Sequence, residues 1–209
     1  MNLLIFRATG GTGRQLVEQA LDQGHTVTAF ARSPRKLDLQ HARLRVFPGD
    51  VLNAASVQAA MAGQEAVLSA LGAPAGHKVP VRSEGTRHIL AGMQHAGVRR
   101  LVCLTTLGMG DSQAALPFSY KYLIVPLFLR SAFADSELQE ALIRQSPVEW
   151  TIARPGTLTN GPRTGTYRHG FPATEKNLKI KISRADVADF MLQQLHDATY
   201  LRRAASLSY

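Results

Sequence analysis

The residues best suited to chemistry stand near the start of the chain. Arg7-Ala8-Thr9-Gly10-Gly11-Thr12-Gly13 follows the apolar run NLLIF and precedes a stretch with helical spacing. A glycine turn between a strand and a helix lets backbone N–H groups close on a diphosphate, and the helix N-terminus adds partial positive charge to the same anion. Ala8, Thr9, Gly10, Gly11, Thr12 and Gly13 are therefore the expected cradle. A second set follows the next strand-like run, as Ala31-Arg32-Ser33-Pro34-Arg35-Lys36. A site for the unphosphorylated ribose usually ends this strand with Asp or Glu, whereas Arg32, Ser33 and Arg35 suit a 2′-phosphate. The expected coenzyme is NADP.

Other chemistries find little support. His88 and His95 lie two helical turns apart with no acidic partner at metal-site spacing. No Gly-x-Ser-x-Gly elbow is present to support a serine hydrolase. Cys103 is the single cysteine, which rules out a disulfide within the chain or a cysteine metal cluster and fits a reducing, cytoplasmic setting. Met1–Phe6 lacks a basic leader and a cleavage site, so secretion is not expected. The formal charge is +9, but the arginines are scattered and do not form a stripe interleaved with aromatics. That charge reads as a field for anionic small molecules before it reads as a nucleic-acid surface.

These groups need elements to position them. NLLIF, HTVTAFA, ARLRVFP, EAVLSAL, RRLVCLT and VEWTIAR are short and rich in strand formers. Residues Gly13–Gln23, Ala54–Ala62, Val81–Ala96 and Asp135–Gln145 have helical spacing between them. The alternation predicts an α/β fold of the Rossmann type, with a doubly wound, mostly parallel sheet and helices on both faces. With 209 residues, one domain over 1–209 is expected, its substrate region built from 107–134 and 154–182. Ligands on such sheets bind beyond the carboxyl ends of the strands, where the turns after Phe6, Ala31, Gly49, Ala70 and Thr105 would meet. Tyr122–Leu129, interrupted by Pro126, is far short of the roughly 20 residues that span a bilayer and reads as a buried helix or a bent helix pair. Thr157–Asn177 reads as a short hairpin or irregular excursion, and Ser183 as an N-cap for a helix carrying Val187, Phe190, Met191 and Leu195 on one face. A monomer or a dimer is expected.

ATGGTG after the first strand, ARSPRKL, GDV at 49–51, SEGTRHIL at 83–90 and RPGTLTNGPRTG at 154–165 together resemble the atypical short-chain dehydrogenase/reductases. Within that group the chain is similar to the NAD(P)H-binding proteins that include NADPH-dependent flavin reductase (biliverdin-IXβ reductase) and the NmrA-like proteins. The resemblance implies that Asp50 and Val51 meet the adenine, that Leu71 and Gly72 line the ribose and nicotinamide side, and that Thr105 and Pro155 join them. Thr106 stands at the family's serine position and is the candidate catalytic residue. Many such enzymes also use a tyrosine with a lysine four residues later, but Tyr120 and Tyr122 lack that lysine. Conjugated acceptors such as flavins, quinones or linear tetrapyrroles can take their proton from solvent, and flavins and quinones are the expected substrates, because Thr157 in place of the family's histidine counts against biliverdin more than against flavin. Phe118, Tyr122, Arg154, Thr157 and Arg168 are candidates to line their pocket, with Thr157 standing at the family's histidine position. An NmrA-like sensor of NADP(H) without turnover is the alternative. The departure is Arg7, where the family has glycine; a positive φ there would cost on the order of 1 kcal/mol. Binding is expected to be retained but altered.

Overall fold

The computed structural model describes residues 1–72, 79–115, 130–175 and 177–209. Strand β1 (Asn2–Phe6) leads through helix α1 (Gly11–Asp22) to β2 (Thr26–Ala31) and β3 (Leu44–Pro48), then α2 (Ala54–Ala60) and β4 (Ala66–Ser69). Helix α3 (Val81–Ala96), β5 (Arg100–Leu104), α4 (Arg130–Gln145) and β6 (Glu149–Pro155) follow. The chain continues through β7 (Thr157–Thr159), β8 (Arg168–His169), β9 (Lys181–Ser183), α5 (Arg184–Gln193) and β10 (Arg203–Ser208).

Eight strands form one sheet in the order β3-β2-β1-β4-β5-β6-β10-β8, parallel except for β8 on β10. Because side chains alternate across a strand, β1 feeds two cores. Leu3 and Ile5 pack with Leu16, Val17 and Ala20 of α1 and Val187 and Met191 of α5. Leu4 and Phe6 pack on the other face with Val57 of α2, Ile89 and Met93 of α3 and Ile143 of α4. The expected doubly wound sheet with helices on both faces is what the chain forms. Strand order reverses between β1 and β4, so the turns after Phe6 and Ser69 part there and leave a crevice.

Of the two forms expected for the segment after β6, the described residues show the irregular excursion and no hairpin: β7 pairs with β9 and β8 with β10. Its anchor is Asp186, fully buried on α5, which accepts from the amides of Thr164 and Gly165 at 2.7 and 2.9 Å and from the Tyr209 hydroxyl at 2.6 Å. Ser183 caps α5 as its sequence suggests, accepting from the Asp186 amide at 2.9 Å. Strand β10 was not expected. Its RAASLS composition is weak strand material, and pairing along β6 from Arg203↔Thr151 to Leu207↔Pro155 is what extends it. The Tyr122–Leu129 run lies outside the described residues.

Candidate functional site

The crevice beyond β1, β4, β5 and β6 opens into two cavities. One, of about 500 Å³, is lined by Gly10, Gly11, Thr12 and Gly13, by Leu71 and Gly72, by Thr105, Thr106 and Leu107, and by Pro155, Gly156, Thr157 and Leu158. The other, of about 240 Å³, is lined by Thr9, Phe30, Ala31, Arg32, Ser33, Lys36, Asp50 and Val51. Arg7, Gly10, Leu71 and Gly72 belong to both. They form the waist of one groove.

The cradle is built by close backbone approach. Gly10 is the N-cap of α1 and has no side-chain cap, nor does an acid occupy the first turn, so the leading amides of the helix face the cavity without a side-chain acceptor. Gly13 packs on the Arg7 carbonyl so tightly that any Cβ would collide with it. The Gly10 amide donates to that carbonyl at 2.9 Å, which closes the turn. Such a cradle fits a diphosphate, and only side-chain-free positions allow it.

Four arginines converge on the groove. Arg7 has φ of 58°, the left-handed conformation that a side chain resists, and its side chain runs over Gly10 to reach Gly72. Burial, together with the charges of Arg82, Arg32 and Arg184, holds its guanidinium below the usual arginine range. Among the described residues no carboxylate pairs with Arg7. Arg184, the first residue of α5, passes over Gly11, where a Cβ would stand 2.6 Å from its Cδ, and donates to Asn160 Oδ1 at 2.6 Å. Arg82 lies on the first turn of α3, 3.8 Å from Asp135. That aspartate accepts from the amides of Arg82 and Ser83 at 3.0 and 2.9 Å, so α4 caps α3 from outside.

Most of the expected residues meet here. Thr9, Gly10, Gly11, Thr12, Gly13, Arg32, Ser33, Asp50, Val51, Leu71, Gly72, Thr105, Thr106, Pro155 and Thr157 all line one cavity or the other. Asp50 Oδ1 accepts from the Leu52 amide at 3.0 Å, so part of its carboxylate closes a turn. Thr106 Oγ1 donates to the Leu107 carbonyl at 3.4 Å.

Others lie elsewhere. Ala8 is fully buried beneath the cradle, and Arg35 lies on the exposed turn after β2, lining neither cavity. Arg168 sits on exposed β8, 3.1 Å from Glu175. Arg154 is 2% exposed and points away from the groove to Glu140 of α4, donating through Nε at 2.9 Å and Nη2 at 2.6 Å, with Asp111 on Nη1. Its neighbour Pro155 lines the groove, and adjacent strand residues face opposite ways. Phe118 and Tyr122 lie outside the described residues. Arg82 and Arg184 were not foreseen, since no local pattern says that a residue 171 positions beyond Gly13 will fold over the cradle.

Residues 8–198 match the NAD(P)H-binding family. The chain belongs to that family. The photosystem II assembly factor Ycf39 of Synechocystis is 32% identical over 111 residues, covering 51% of this chain and 34% of its own. The chain spans 61% of a second relative, an uncharacterised chloroplastic protein of Arabidopsis thaliana. The crystal structure of ChuY, an anaerobilin reductase of Escherichia coli O157:H7, superposes with a TM-score of 0.78 at 26% identity, covering 99% of this chain and 96% of that one. A short-chain dehydrogenase/reductase of Veillonella parvula in complex with NADP shares the fold, with a TM-score of 0.82 at 19% identity over 100% and 94% of the two chains. Among the described residues no helix is long and apolar enough to cross a membrane, and no His, Cys, Asp or Glu cluster could hold a metal ion.

Proposed function

We propose that the protein is an NADPH-dependent reductase that passes hydride to a conjugated acceptor such as a flavin, a quinone or a linear tetrapyrrole. The observation that carries this reading is the wall around the larger cavity. Its described ionisable groups are the guanidiniums of Arg7, Arg82 and Arg184, and the rest is threonine, glycine and apolar side chains. Such a wall orients and binds but holds no proton that moves near neutral pH. An isolated ketone would need one, whereas a conjugated acceptor spreads the incoming charge and takes its proton from solvent. Likeness to an anaerobilin reductase supports the same reaction class.

When bound, the coenzyme supplies the hydride. The first amides of α1 and the glycine turn would hold its diphosphate, and Arg32, Ser33 and Lys36 would surround a 2′-phosphate in the smaller cavity. Thr106, Pro155 and Thr157 would position the acceptor, with 154–182 supplying that side of the groove. A sensor of NADP(H) without turnover is the second reading, favoured by Arg7 at the waist and by likeness to an assembly factor. NADPH oxidation measured with FMN and with a soluble quinone at micromolar protein separates the two. Turnover supports the reductase, binding without oxidation supports the sensor, and absence of NADPH binding overturns both.

A further inference from the structure

Thr105 directly follows β5, its amide bonded to the Ala153 carbonyl at 2.9 Å, and it lines the larger cavity. Its hydroxyl also reaches backward, to Glu140 Oε1 at 2.9 Å. The direction of that hydrogen bond follows from what lies behind it. Glu140 is 4% exposed and takes two hydrogen bonds from the Arg154 guanidinium, at 2.9 and 2.6 Å, with Arg144 3.4 Å from Oε2. A carboxylate gripped this way by an arginine is ionised and can only accept. Thr105 must therefore donate, and a hydroxyl has one proton to give. Only its lone pairs remain for the groove.

We propose that Arg154 and Glu140 fix Thr105 as an obligate hydrogen-bond acceptor in the groove, which selects a bound ligand presenting an N–H at that point. The inference rests on the reading of the groove as a hydride-transfer site and adds a specificity element to it. The N–H has two sources with the same chemistry: the carboxamide of the nicotinamide, or a ring N–H of the acceptor, as in a flavin or a pyrrole. Arg154 thereby gains a role its sequence position did not suggest. It is a positioning residue acting through Glu140, and Thr105 is the group that touches ligand.

The experiment uses matched probes that differ by that N–H. NADPH is compared with its 3-acetylpyridine analogue, which lacks the amide N–H, and lumiflavin with N3-methyl-lumiflavin, in the wild-type protein and in Thr105→Ser and Thr105→Val. The coenzyme arm is read as Kd by fluorescence, and both arms as kcat/KM where turnover occurs. Loss of one hydrogen bond corresponds to about three- to tenfold in such a ratio. The wild-type protein is expected to prefer the N–H-bearing probe by that factor in one arm, Thr105→Ser to keep the preference, and Thr105→Val to lose it. The arm that responds identifies the donor. Glu140→Leu combined with Arg154→Met is expected to collapse the same ratio, because it removes the acceptor behind Thr105 and frees its proton; an unmoved ratio in the folded double variant removes Glu140 from the role. Ratios in both arms that Thr105→Val leaves at the wild-type value overturn the inference while NADPH still binds. Failure of every protein to bind NADPH instead overturns the reading of the groove, and this inference with it.

Discussion

Arg7 and Gly72 meet across the waist of the groove, where the guanidinium Nη1 stands 2.7 Å from the place a Cβ on residue 72 would occupy. A side chain on residue 72 would push the Arg7 guanidinium from this position. The two ends of the crevice are thus bridged by a cation whose own backbone is held at φ of 58°.

Arg7→Gly should remove that strain. The gain expected is about 1 kcal/mol, or a rise in Tm of about 2–4 °C for a chain of this size, read by calorimetry. NADPH should still bind, with a shallower dependence on ionic strength because one cation fewer faces the phosphates. Equal salt slopes for the two proteins would show that Arg7 is not a counter-charge for the ligand.

Arg32→Ala tests the adenosine end. With Arg32, Ser33 and Lys36 lining the smaller cavity, loss of the guanidinium should raise KM for NADPH by about tenfold and leave KM for NADH within about twofold. Parallel increases for both coenzymes would mean that Arg32 does not read the 2′-phosphate.

Arg154→Met should be costly although it touches no ligand. It leaves buried Glu140 with only the partly exposed Arg144 at 3.4 Å, a loss of about 3 kcal/mol in urea unfolding. Pairing it with Glu140→Leu should recover most of that loss, since the uncompensated charge goes too. A single variant as stable as the wild type would contradict the burial of this pair.

Acid should loosen the protein through Asp186. Burial opposes ionisation of its carboxyl, but hydrogen bonds from Tyr209, from the amides of Gly165 and Thr164 and from the Thr164 hydroxyl outweigh it and hold the group below its usual 3.8. A carboxyl depressed in the folded state contributes stability that is fully present above the unfolded value and is lost as pH falls through the folded one. The free energy of unfolding should therefore drop below about pH 4, and Asp186→Asn should flatten that slope. Identical pH profiles for the two proteins would exclude Asp186 as a source of acid sensitivity.

The alternating pattern made the sheet and the cradle legible in the sequence, because β1, the glycine turn and α1 are contiguous and each signals its own conformation. The arginines divide along the same line. Arg32 follows β2 directly and could be placed by counting, whereas Arg184 reaches Gly11 only because α5 packs beside α1. Arg154 departs from its expected place for a different reason: the end of a strand says how far along the sheet a residue lies, and its parity relative to Pro155 decides which side it takes. β10 escaped notice because its small residues carry little strand preference, and its pairing partner β6 is about fifty residues away.

Asp186 stands two residues beyond Arg184 on the same helix, and from it hang the loop at Thr164, the cap at Ser183 and the ring of Tyr209. A proton arriving at that carboxylate slackens three tethers at once. The grip of Arg184 on the groove is thereby tied to a titration that takes place out of the ligand's sight.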